Sequence, residues 1–133
     1  MHWSHVGLNC RDQRVTEEFY TRWFGFARAR VVPLGDSEIL FLRNGDAYLE
    51  LFPAKDTNGH EPNIADGPGA AGTVRHLAFQ TDDVDDLLER MGETVDVTLG
   101  PLDFGDFIAG WRSAWLRDPD GVVVEVSQGY RDE

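Results

Sequence analysis

The feature that most constrains this chain is that it reads twice. A stretch rich in Gly, Pro, Asn and Asp, residues 54–73, carries Asn58-Gly59, Gly67-Pro68-Gly69 and Gly72 and has no apolar periodicity, which marks a connection. Before it, the strand-like opening Trp3-Ser4-His5-Val6-Gly7-Leu8-Asn9 leads through Asp12 into Thr16, Phe19, Tyr20 and Trp23. Those four recur at i, i+3, i+4, i+7, one face of an amphipathic helix that Gly25 stops. Three strand-like runs follow, 26–34, 38–43 and 47–52, the last two hinged at Asn44-Gly45.

After the connection the order returns. Residues 74–81 are strand-like, Asp82-Asp83 caps a helix bearing Val84, Leu87, Leu88 and Met91, and Gly92 closes it. Runs 95–99, 109–117 and 122–127 complete the half, the last two joined by the turn Asp118-Pro119-Asp120-Gly121. Each half therefore reads β-α-β-β-β, a repeat of about 70 residues in element order. The expectation is an α+β fold of two tandem modules, 1–53 and 74–133, within a single domain spanning 1–133.

Composition narrows the partners. Twelve basic against 24 acidic residues leave a formal charge of −12, which repels nucleic acid and anionic membrane surfaces. The single cysteine, Cys10, has no intramolecular disulfide partner. No apolar run approaches the ~18 residues of a membrane helix, and no charged-then-apolar leader opens the chain. The expectation is a soluble, cytoplasmic protein whose partner is a small molecule.

Four polar residues interrupt this pattern at matched places. His5 and His76 fall in the first strand of each half and stand 71 positions apart, while Glu50 and Glu125 fall in the last strands, 75 apart. Each carboxylate breaks an apolar run, Tyr48-Leu49-Glu50-Leu51-Phe52 and Val122-Val123-Val124-Glu125-Val126. Taken singly, a strand Glu or His can simply face solvent. Four at repeat-matched positions are different, because burying unpaired carboxylates costs several kcal/mol. Two neutral imidazoles and two carboxylates suit one borderline divalent metal per site, Zn, Ni, Co, Mn or Fe.

Strand alternation supplies candidate walls for a substrate pocket. Tyr48 and Phe52 share Glu50's face, Ser127 shares that of Glu125, and Gln80 shares that of His76. Trp111, Ser113 and Trp115 share a face of the seventh strand, where the two Trp rings either line a pocket or pack the core. Arg112 and Arg117 either meet an anionic substrate or form ordinary surface pairs. His60 reads as an exposed loop residue, with a lid as the alternative, and Cys10 as a small buried thiol. The run Asp82-Asp83-Val84-Asp85-Asp86 reads as a helix N-terminus and not a metal cluster.

The paired β-α-β-β-β order carries further marks: His5-Val6-Gly7-Leu8 and His76-Leu77-Ala78-Phe79, Phe19-Tyr20 before Phe24-Gly25-Phe26, and the Asp118–Gly121 turn leading to Glu125. Together they resemble the vicinal oxygen chelate superfamily of glyoxalase I, extradiol dioxygenases, methylmalonyl-CoA epimerase and the bleomycin and fosfomycin resistance proteins. The resemblance implies curved, cup-like mixed sheets with metal ligands from the first and last strands of each module. His5, Glu50, His76 and Glu125 match the quartet of bacterial glyoxalase I, with Glu125 as the base. The connection does not match the glyoxalase substrate loop. By this resemblance the chain is expected to be a metal-dependent lyase or isomerase acting through an enediolate, in a homodimer. An extradiol-type dioxygenase, a CoA-thioester epimerase and a drug-binding protein are the alternatives.

Overall fold

The computed structural model describes residues 1–58 and 64–132, and the chain divides into two compact units, Met1–Gly59 and His60–Glu133. In the first, the strand Val6–Cys10 (β1) leads to the helix Gln13–Trp23 (α1) and the strands Ala27–Leu34 (β2), Ser37–Asn44 (β3) and Ala47–Pro53 (β4). In the second, Leu77–Gln80 (β5) leads to Val84–Met91 (α2), then Asp96–Asp103 (β6), Arg112–Arg117 (β7) and Val123–Gln128 (β8). The expected α+β class and the repeated β-α-β-β-β order are both present. The sheets have orders β1-β4-β3-β2 and β5-β8-β7-β6, and in each the first strand runs parallel to the last while the other neighbours are antiparallel. Among the described residues no helix is long and apolar enough to cross a membrane.

Local chemistry explains the elements. The parallel pairs need a crossover, which the helices supply. Asp12 accepts the amide of Arg14 at the start of α1, and Asp83 accepts that of Asp86 at the start of α2. At the β7–β8 turn the Asp118 carboxylate accepts the amides of Asp120 and Val122, each within 2.9 Å, which fixes the register leading to Glu125. One face of each sheet makes a core. Leu40, Leu42, Leu49 and Leu51 are buried in the unit that also buries Tyr20 of α1, as are Ala114, Leu116, Val124 and Val126 in the unit that buries Val84, Leu87 and Met91 of α2. Truncating such a leucine costs about 2–5 kcal/mol. Alternation then turns Glu50 and Glu125 onto the opposite faces.

The boundaries of β1, β5, β6 and β7 differ from the sequence reading for physical reasons. His5 and His76 lie one residue before β1 and β5, because the parallel ladders begin at Val6↔Leu49 and Leu77↔Val124, near the starts of the partner strands. β6 continues through Gly100-Pro101 to Asp103, where a break was expected; as an edge strand it can carry a proline without losing a ladder bond. β7 begins at Arg112, because the preceding loop satisfies its own amides: Phe104 donates to the Trp111 carbonyl, and Trp111 to that of Ile108.

Candidate functional site

Parallel pairing of first and last strands places the same constellation in each unit. Gly7 lies opposite Glu50 and Ala78 opposite Glu125, and in both cases the histidine stands two residues earlier in the chain. His5 Nε2 is 2.8 Å from Glu50 Oε2, with the side chains 38% and 15% exposed. His76 Nε2 is 2.9 Å from Glu125 Oε2, with exposures of 21% and 13%. The outer nitrogens are held too: His5 Nδ1 lies 2.8 Å from the Ser4 hydroxyl and His76 Nδ1 2.8 Å from the Asp66 carbonyl. Each ring also meets an aromatic edge, Phe41 for His5 and Trp115 for His76.

The walls differ between the units. In the first, Ser4, His5, Arg30, Phe41, Arg43 and Tyr48 line an open cavity of about 580 Å³. Phe52 is half-buried opposite Asn9, its ring facing Gly7. In the second, Gln80, Trp111, Glu125, Ser127 and Tyr130 line a cavity of about 220 Å³. Ser113 lies fully buried beneath it, 2.9 Å from the Ser127 hydroxyl, which also accepts the Trp111 indole N–H at 3.1 Å. Trp115 pairs with Glu125 across the sheet and is 6% exposed; among the described residues its indole N–H has no partner.

Other candidates have plain structural roles. Arg112 donates twice to Asp85, which raises its pKa, and Arg117 pairs with Asp96. Both are thereby paired with carboxylates of their own unit. Cys10 is buried. The Asp82–Asp86 run is a helix start whose Asp85 and Asp86 pair with Arg112 and Arg90. His60 lies outside the described residues.

Comparison with known proteins agrees with this frame. A family model described as Glyoxalase/Bleomycin resistance protein/Dioxygenase superfamily matches residues 2–126. The chain belongs to that superfamily. No curated protein matches the sequence. Among solved structures, TnmS3, an antibiotic binding protein from Streptomyces sp. CB03234, is 26% identical over 98% of either chain, with a TM-score of 0.67. A fosfomycin resistance protein mutant, FosX from Listeria monocytogenes, complexed with Mn(II) and 1S,2S-dihydroxypropylphosphonic acid, is 20% identical over 97% of this chain and 90% of that chain, with a TM-score of 0.68. Glyoxalase I from Leishmania major is 22% identical over 97% of this chain and 87% of that chain, with a TM-score of 0.72. At these identities the last two show a shared fold.

Superfamily relatives bind a divalent metal, and the donor atoms here fit one. The Asp66 carbonyl only accepts, so His76 Nδ1 must donate to it. Nε2 then faces a carboxylate oxygen at 2.9 Å, and two lone pairs do not rest against each other; a proton or a bridging cation must hold them. Donors bound to one ion at about 2.1 Å and at right angles stand about 3 Å apart, as both His–Glu pairs do. Among the described residues no three His, Cys, Asp or Glu side chains form a metal cluster. Each unit thus offers two donors. Sequence reasoning missed Ser4, Asp66, Arg30, Arg43 and Tyr130. Alternation along β3 sets Arg43 on the same face as Phe41, a signal that could have found it, whereas the irregularity between Arg28 and Arg30 hides Arg30 from any period-two reading.

Proposed function

We propose that this superfamily member is a metal-dependent lyase or isomerase of glyoxalase type, acting on a small oxygen-chelating substrate. The observation that carries the reading is the duplicated His–Glu pair, each with a largely covered carboxylate and with its imidazole anchored at Nδ1. His5, Glu50, His76 and Glu125 would hold one divalent ion, Zn, Ni, Co, Mn or Fe, within one domain or across a homodimer. When bound, such an ion polarises a substrate carbonyl and acidifies the neighbouring C–H. Glu125 serves as the base that carries the proton between adjacent carbons, because it lines the cavity of its unit itself, beside Gln80 and Ser127. Glu50 is not among the lining residues of the cavity in its own unit, which fits a purely ligating role.

A second reading has an observation of its own. Phe104, Trp111 and Tyr130 form an aromatic cluster beside Glu125, with centroids 4.8 Å and 5.6 Å apart, suited to holding a flat ligand without transforming it. The likeness to TnmS3 supports that alternative. The deciding experiment is elemental analysis of protein purified without added metal or chelator, followed by assays for hemithioacetal isomerisation and catechol cleavage. Stoichiometric metal with isomerase turnover supports the lyase reading. Metal-free protein that is inactive in both assays but saturable by aromatic ligands supports the binding protein.

A further inference from the structure

We propose that the open cavity of the first unit is an oxyanion subsite in which Arg30 and Arg43 take a carboxylate or a phosphate-type group of the substrate. In a chain with 24 acidic and 12 basic residues, arginines find carboxylates readily. Arg14, Arg28, Arg75, Arg90, Arg112 and Arg117 all do so. Among the described residues the Arg30 guanidinium has no hydrogen-bond, ion-pair or ring partner, although it lines a cavity of about 580 Å³. Arg43 donates its Nε–H to the Gly45 carbonyl at 2.7 Å and lies over the Tyr48 ring at 5.4 Å, so it is oriented, while among the described residues its terminal amino groups meet no carboxylate.

Register puts the two on one face. Arg30 pairs with Phe41, Phe41 with Glu50, and Arg43 with Tyr48. Phe41 supplies an apolar floor, while the Tyr48 and Ser4 side chains add hydroxyls at the same cavity. Planar guanidinium forks match carboxylate and phosphate oxygens bidentately, and cavities of roughly 300–1,000 Å³ suit small molecules. His5 lines the same cavity, so an anion seated there extends toward the His5–Glu50 pair. The subsite thereby sets the substrate class of the site proposed above, and it rests on that reading only for which substrate the anion belongs to.

The test follows arginine Nε–H signals by NMR in ¹⁵N-labelled full-length chain treated with chelator, titrated in one arm with inorganic phosphate and in the other with lactate. Saturable shifts of Arg30 and Arg43 at millimolar or lower concentration are expected in at least one arm, and the arm that saturates identifies the group. Arg30→Gln and Arg43→Gln, each checked for unchanged spectral dispersion, should weaken binding at least tenfold, whereas Arg131→Gln should not. Saturation in neither arm, uniform shifts across all arginines, or undiminished binding in both cavity variants would overturn the subsite. Because the titration is metal-free, failure of the metal site leaves it standing, and the reverse holds as well.

Discussion

If one ion is shared by the two His–Glu pairs, metal must stabilise the chain, and removing either histidine must take away most of that effect. At a metal concentration a hundred times the dissociation constant the gain is about 2.7 kcal/mol. For 133 residues at about 2.1 cal/mol/K each, the unfolding entropy near the midpoint is about 0.28 kcal/mol/K, so the midpoint should rise by about 10 °C. The histidines contribute little without metal. His5 and His76 are 38% and 21% exposed, and solvent-screened pairs of that kind are worth about 0–1 kcal/mol, at most about 4 °C. His76→Ala should therefore melt nearly normally when metal-free. If it binds a hundredfold more weakly, the same metal concentration returns only about 0.4 kcal/mol, or between 1 and 2 °C. The assay is calorimetric melting of parent, His5→Ala and His76→Ala, with chelator and with Zn, Ni or Co. A parent indifferent to all three metals refutes the site. If His76→Ala loses the response while His5→Ala keeps all of it, the ion is not shared.

Glu125→Gln should keep the fold and most metal affinity yet lose orders of magnitude in kcat for hemithioacetal isomerisation, since an amide cannot accept the proton; Glu50→Gln should chiefly weaken metal binding. A fast Glu125→Gln beside a dead Glu50→Gln reverses the two roles. Sedimentation should give twice the 15.0 kDa protomer mass at micromolar concentration, and a 15.0 kDa species removes the homodimer. Two 2.6 Å hydrogen bonds from Arg28 hold the Glu17 carboxyl below its ordinary pKa, with partial burial opposing them. Its contribution is present above the ordinary glutamate value, near 4.3, and is lost as pH falls through the lower folded value. Glu17→Gln should thus lower the melting midpoint by a few degrees at pH 7 and by less at pH 3; an equal gap at both pH values contradicts this.

The repeated element order was legible because it is local. Helix faces at i, i+3, i+4, i+7, the Asn44-Gly45 and Asp118–Gly121 turns and the Asp12 and Asp83 caps are all written within a few residues. The four residues of the two His–Glu pairs stood out through the repeat, since a carboxylate inside Val122–Val126 has few innocent explanations, but their pairing within each unit did not. What the sequence hid is set across strands. Whether Arg112 faces a ligand or Asp85 depends on α2 lying beside β7, and no spacing reports that. Trp111 looked like a strand residue because the loop before β7 satisfies its amides internally, which alternation does not register. The anchors at Ser4 and Asp66 are set by a neighbouring hydroxyl and a loop carbonyl, and a carbonyl is available at every position in a sequence.

The two modules keep one frame and diverge in what surrounds it. Across the first sheet the residues at the level of the carboxylate run Gly7, Glu50, Phe41, Arg30; across the second they run Ala78, Glu125, Trp115, Leu99. Small residues opposite both glutamates leave room beside the carboxylates, so that requirement is common to both copies. The far ends differ in kind, a guanidinium in one and a leucine in the other. Here the His–Glu spacings agree to within 0.1 Å, 2.8 Å and 2.9 Å, while the walls are cationic around the larger cavity of the first unit and aromatic around the smaller cavity of the second. That division gives each cavity its own chemistry, guanidinium groups in the first unit and aromatic rings in the second. It also predicts that exchanging Arg30 for leucine changes which ligands bind while leaving the metal response of the melting midpoint intact.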